Sequence, residues 1–173
     1  NLKFDAELFG AFLALLPQDT QAGAALARRH ESRLDGRDFC ETDARRPLRH
    51  AVEIRHESFR DSEFIRLLRR HHVALVCADT VEWPRLMDLT SDFIYCRLHG
   101  SEQLYASGYD KAAIKTWAKR VRAWAAGEEP ADAERVLGPA HPRKSGRDVF
   151  LYFDNDMKVR APEDARALIE AVG

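Results

Sequence analysis

Several residues able to do chemistry stand at the ends of the chain's most apolar segments: Glu53, Arg55, His56, Asp79, Arg97, His99, Tyr152 and Asn155. Three chemistries fit these types. His, Asp and Glu on neighbouring strand ends could hold a divalent metal and activate water. Arg55 and Arg97 with His99 suit an anion, because planar guanidinium groups match phosphate and carboxylate oxygens. Alternatively, Glu53, Arg55 and Arg97 pair among themselves with no chemistry at all, since buried charges need partners whatever the function. The spacing matches no short metal motif, so the anion is preferred to the metal.

These residues need elements to position them. Phe4 to Leu16 has apolar residues at Leu8, Phe9, Phe12, Leu13 and Leu16, the spacing of one helical face. Asp5 suits its N-cap and Pro17 its stop. Asp19 to Glu31 reads as a weaker, Ala-rich helix, and 32–48 as a long polar loop. An alternation follows. Strands are expected near 50–55, 73–79, 93–99 and 148–153. Helices are expected over Asp61 to His71, over Asp110 to Ala126, and from Pro162, placed at N1 of the last helix. In that last helix Ala165, Leu168, Ile169 and Val172 form the expected buried stripe. Residues 127–147 form a connection rich in Gly, Pro and charge.

Strands alternating with helices mean βαβ units and a parallel sheet. Parity then separates two architectures. Val52 and Ile54 share one strand face, while Glu53 and Arg55 share the other. Likewise Ile94, Cys96 and Leu98 oppose Tyr95, Arg97 and His99. A doubly wound sheet is covered by helices on both sides and should be apolar on both. A strand with one polar face fits a (β/α)8 barrel, whose active sites lie at the C-terminal strand ends.

Composition narrows the function classes. The chain has 173 residues, 45% hydrophobic and 32% charged, as expected for one folded domain. The net charge of -1 argues against nucleic-acid binding driven by bulk charge, leaving nucleic acid as a less favoured partner. No run of about 18 apolar residues is present, so no membrane helix is expected. The chain opens Asn1-Leu2-Lys3 without an initiator Met or a signal-peptide layout. Cys40, Cys77 and Cys96 form no CxxC pair, and read as reduced thiols of a cytoplasmic protein. Cys77 and Cys96 are expected in the core, with opposite parity relative to the polar face. The motifs GxGxxG, GxxxxGK[ST] and GxSxG are missing, which argues against Rossmann, P-loop and α/β-hydrolase chemistry. Lys111, Lys115, Lys119 and Arg122, like Arg66, Arg69 and Arg70, read as solvated helix faces, and Trp117 and Trp124 as core.

Three ordered stretches carry a family resemblance. They are His50-Ala51-Val52-Glu53-Ile54-Arg55-His56-Glu57-Ser58-Phe59, Phe93-Ile94-Tyr95-Cys96-Arg97-Leu98-His99-Gly100 and Tyr152-Phe153-Asp154-Asn155-Asp156. Asp79, Tyr105, Tyr109 and Ala161-Pro162-Glu163-Asp164-Ala165 support them. Together they resemble the YecE-like family, catalogued as domain of unknown function 72. The resemblance implies a (β/α)8-barrel-like fold whose biochemical role is not established. It also implies roughly four further strands before the position of Asn1. This chain is thus expected to be the C-terminal half to two-thirds of a barrel, one domain over 1–173, completed by an N-terminal segment or by oligomerisation. Two positions depart from the family pattern: Phe59 where Trp is usual, and Asp154 where Asn is usual.

The resulting expectation is a small anionic ligand, bearing phosphate or carboxylate, held at the C-terminal rim, with hydrolysis as an added option. Glu53, Asp79 and His99 are the candidate catalytic groups. Arg55, His56, Arg97, Tyr105, Tyr109, Tyr152 and Asn155 are the candidate ligand contacts. No metal ligand set and no cofactor is assigned. Two other readings stay open: a metal-dependent phosphodiesterase acting on nucleic acid, and a non-catalytic interaction module.

Overall fold

The computed structural model describes residues 2–100, 108–140, 142–155 and 159–173. In chain order it contains α1 (Ala6–Ala14), α2 (Thr20–Ala27), β1 (Ala51–Val52), α3 (Ser62–His71), β2 (Ala74–Asp79), β3 (Phe93–Leu98), α4 (Lys111–Ala125), β4 (Asp148–Phe153) and α5 (Arg160–Val172). Short 3-10 turns occupy Ser32–Leu34 and Glu57–Phe59. The four strands form one parallel sheet in the order β1-β2-β3-β4. This is an α/β fold, as the alternation of elements predicts.

The helices start where aspartates can take up orphan backbone donors. Asp5, Asp19, Asp61 and Asp110 each accept a hydrogen bond from a backbone N–H in the first turn of the helix that follows. The amphipathic patterns then decide which face is buried. Phe64, Ile65, Leu67 and Leu68 of α3 are buried with Phe9 and Leu13 of α1, and Val73, Leu75 and Ile54 join them. A second cluster gathers Ile114, Trp117 and Trp124 of α4 and Leu168 of α5 against Cys77, Ile94, Cys96 and Leu98.

Parity and register give the sheet two unlike faces. Cys77 pairs with Cys96 and Asp79 with Leu98, all on the face that meets the helices. Ala78 pairs with Arg97, and Arg97 with Tyr152, on the other face. There Tyr95 stacks on Tyr152 with centroids 5.2 Å apart, and Tyr152 remains 48% exposed.

Several expectations need correction. The first ladder spans only Ala51–Val52, not 50–55, because the chain leaves β2 shortly before the turn capped by His56. Helix α1 buries Phe9 and Leu13 alone, and Leu8 and Phe12 point outward. Pro162 is the third residue of α5, not the first. The first turn has no intrahelical use for its N–H groups, so proline is tolerated there. Ile169 is exposed, and Asp164 and Leu168 are the buried residues of that helix. Cys77 and Cys96 have the same parity, as register partners on the core face. Both are buried and free, which agrees with their reading as core. Lys111, Lys115 and Lys119 lie on a solvated face, as expected.

Candidate functional site

The polar face of the sheet gathers its charges at the C-terminal strand ends. Arg97, near the end of β3, is the centre. Its Nη1 donates to Glu53 Oε2 at 2.7 Å and its Nε to Asp154 Oδ2 at 2.8 Å. Glu53 follows β1 and Asp154 follows β4, so Arg97 spans the sheet. It can reach Glu53 because Ala78 of β2, its register partner, projects only a methyl group on that face. Burial works against Arg97's charge. The hydrogen bonds and fields of Glu53 and Asp154 outweigh it and hold the guanidinium more firmly protonated than usual.

His99 sits beneath this bridge, fully buried. Its Nε2 lies 3.8 Å from Glu53 Oε2 and its Nδ1 3.7 Å from Asp154 Oδ2. Trp83 closes on it edge-to-face, with centroids 5.5 Å apart. Burial, followed by the charge of Arg97, lowers the imidazole pKa below 6.5 despite the two carboxylates. The ring is therefore neutral at pH 7 and able to accept a proton. Arg55 completes the group. It is held by Glu53 at 2.8 Å, and its guanidinium lies 4.7 Å from the centroid of the Trp83 ring. Its side chain is 56% exposed. Glu53 and Arg55 also border a groove of about 290 Å³ along the outer edge of β1, walled by Phe9, Ile54 and Phe59.

The other candidates lie elsewhere. Asp79, on the helix-facing side, accepts from Arg85 Nη1 and from the Tyr109 hydroxyl, each at 2.9 Å. That hydroxyl also accepts from the N–H of Gly100 at 3.1 Å. Gly100 has φ of 106°, a region that side chains rarely allow. Burial, then the nearby Asp79, pushes the Tyr109 phenol well above its usual range. Asp164 of α5 accepts from the Tyr109 N–H at 3.1 Å and from Asn155 Nδ2 at 2.7 Å. Asp79, Tyr109 and Asn155 thus belong to a second, buried group with Arg85 and Asp164. His56 Nδ1 accepts from the Ser58 N–H and holds the Glu57–Phe59 turn. Tyr152 lies on the open face, and Tyr105 is outside the described residues.

The structure therefore brings together Glu53, Arg55, Arg97 and His99, and adds Asp154 and Trp83. A signal for Asp154 existed. It shares the parity of Tyr152, whereas Asn155 shares that of Phe153 and faces the core. Trp83 sits in the loop after β2, where no periodicity marks it; only its place after a strand end points to it.

Comparison with curated proteins gives no match. Solved structures of two other proteins share the fold. A DUF72 family protein from Thermotoga maritima is 22% identical with a TM-score of 0.56, over 72% of this chain and 46% of that one. A DUF72 family protein from Enterococcus faecalis is 15% identical with a TM-score of 0.52, over 72% and 47%. This chain thus spans about half the length of these structures. Among the described residues, no helix is long and apolar enough to cross a membrane. The family model described as protein of unknown function DUF72 matches residues 2–173, so the chain belongs to the DUF72 family, the same family as YecE-like proteins.

Proposed function

We propose that the cluster around Arg97 is a small-molecule site, taking a phosphate- or carboxylate-bearing ligand at the C-terminal ends of the parallel strands. Arg55 carries this reading. Its guanidinium is fixed by one carboxylate and one aromatic face, yet its side chain is 56% exposed. A cation already held in place and open to solvent offers an anion bidentate contacts at small ordering cost. Arg97 is neutralised by Glu53 and Asp154, and so acts as a positioning residue for both. His99, neutral and flanked by carboxylates, is the base for any hydrolytic step. In this reading the sheet is part of a (β/α)8 barrel, whose sites gather at those strand ends.

A metal-dependent phosphodiesterase has less support at this rim. Glu53 and Asp154 approach opposite nitrogens of His99, so one ion cannot draw on all three. Arg97 stands between the two carboxylates, where a bridging cation would be needed.

Calorimetric titration with inorganic phosphate and with citrate tests the proposal. Binding to the unsubstituted chain that is lost in Arg55→Ala is the expected result. No heat with either anion, or equal binding by Arg55→Ala, overturns it.

A further inference from the structure

A separate constellation lies in the segment between α2 and β1. His30, Asp38 and Cys40 each offer one ligand atom, and the three atoms lie within 4.8 Å of one another. His30 Nε2 is 3.3 Å from Asp38 Oδ2, and Cys40 Sγ is 3.3 Å from the same oxygen. Ligands of a tetrahedral zinc ion, with bonds of about 2.0 to 2.3 Å, stand roughly 3.3 to 3.8 Å apart. These two separations fit that shell.

The imidazole is also oriented for the role. His30 Nδ1 lies 3.0 Å from the Glu31 carbonyl oxygen, an acceptor, so Nδ1 carries the proton. Nε2 then faces the Asp38 carboxylate at 3.3 Å, an ion pair when the ring is protonated, and a bound ion takes the place of that proton. A ring nitrogen that donates to a backbone carbonyl while its partner faces other donor atoms is the usual orientation of a metal-bound histidine. Asp35 stands behind the ring, 3.7 Å from Nδ1. The side chains of His30 and Asp38 are 18% and 30% exposed, which leaves a path for an ion and for solvent.

The segment is not a loose loop. Its base is closed by the bridge between Asp19 and Pro47 and by hydrogen bonds from Thr20 N–H to the Arg46 carbonyl and from Leu48 N–H to the Gln18 carbonyl, each 2.9 Å. Arg45 adds an ion pair to Asp19. Gly36, at φ of 72°, makes the turn that brings Asp38 and Cys40 back to His30.

We infer that His30, Asp38 and Cys40 form a binding site for a divalent transition ion of the zinc class, with solvent completing a tetrahedral shell. One imidazole, one carboxylate and one thiolate suit zinc better than the all-oxygen shells of magnesium or calcium. Binding replaces the thiol proton of Cys40, which leaves to solvent, with the metal–sulfur bond.

Cobalt(II) is the probe, because its bond to a thiolate absorbs in the near ultraviolet. The chain is treated with chelator, dialysed and titrated with Co²⁺. About one equivalent should give a thiolate-to-cobalt band that Zn²⁺ abolishes. Cys40→Ser and His30→Ala should each remove the band. Cys77→Ser should keep it, because that thiol is buried in the core. Cys40→Ser and His30→Ala are first checked for an unchanged circular dichroism melt, which a substitution in this surface segment should leave alone, and Cys77→Ser, in the core, for a folded spectrum at the temperature of the titration. No band in the unsubstituted chain overturns the site, as does a band that survives Cys40→Ser. Because the readout does not involve the rim, it is independent of the phosphate and citrate titrations.

Discussion

Two polar groups meet at the C-terminal strand ends, and they differ in what they leave open. The group of Asp79, Arg85, Tyr109, Asn155 and Asp164 is closed. Its carboxylates accept from a guanidinium, a phenol, a backbone N–H and an amide, and the Asp79 side chain is only 6% exposed. The group of Glu53, Arg97, His99 and Asp154 shares the same rim. It ends in Arg55, which reaches solvent. The backbone N–H of His99 donates to the Asp79 carbonyl at 2.9 Å, so the two groups are adjacent. The same residue types therefore do different work. Where the carboxylates are buried and each accepts from internal donors, a polar network fixes the strand ends to the helices. Where a guanidinium is left facing outward, the network can still meet a ligand.

The sharpest way to break this comparison is to remove one member from each group. Asp79→Ala leaves the Arg85 guanidinium and the Tyr109 hydroxyl without their shared acceptor. Breaking a buried pair from one side costs about 3 to 5 kcal/mol, here reduced toward about 3 because Arg85 is partly exposed. A urea melt should show that loss, with anion binding at Arg55 retained under stabilising conditions. A loss below about 1 kcal/mol would mean that the closed group does not hold the rim.

Arg97→Ala comes next. It leaves Glu53 and Asp154 close together around the imidazole with no guanidinium between them, at an expected cost of about 2 kcal/mol. The second substitution Asp154→Asn removes one of the repelling charges and should recover part of that loss. Equal costs for the single and double variants would show that the two carboxylates do not communicate through Arg97. In the otherwise unsubstituted chain, Asp154→Asn alone should release positive charge and tighten phosphate binding.

The fold was largely legible because its signals are periodic. Strands β2, β3 and β4, the polar face of β3 and the N-cap at Asp5 all follow from spacing and residue type. The sites were less legible because register is not local. Asp79 looks like a rim carboxylate in a sequence, yet its pairing with Leu98 turns it to the helix side. Asn155 looks like a strand-end ligand, but its parity with Phe153 sends it to Asp164. Asp154 departs from the pattern of the family it resembles, and the three-dimensional pairing with Arg97 explains its carboxylate. Nothing in the spacing of His30, Asp38 and Cys40 announces their convergence, which depends on the turn at Gly36.

A smaller effect separates the groups by pH. His99 has a folded-state pKa below 6.5, so the unfolded chain takes up its proton first as the pH falls. The stability tied to its neutral form is complete above 6.5, and is lost as the pH drops through 6.5 toward the lower folded value. Melts between pH 8 and pH 5 should show this decline, reduced in His99→Gln when each is referred to its own stability at pH 8. Identical pH profiles would mean that burial and Arg97 do not hold the imidazole neutral.

Arg55→Ala should have the least effect on stability and the most specific effect on binding. Its ion pair with Glu53 is largely solvated, and such pairs contribute about 0 to 1 kcal/mol. The stacking on Trp83 adds at most a similar amount at an exposed position. The melt should therefore shift little, while phosphate and citrate binding is lost. Arg55→Lys sharpens the point. It keeps the charge but not the planar fork, so a ligand bound by two parallel hydrogen bonds should weaken markedly, whereas one held by charge alone should not. If Arg55→Ala instead destabilised the chain as much as Arg97→Ala, Arg55 would belong to the internal framework, and the contrast between a closed and an open group would collapse into a single structural network.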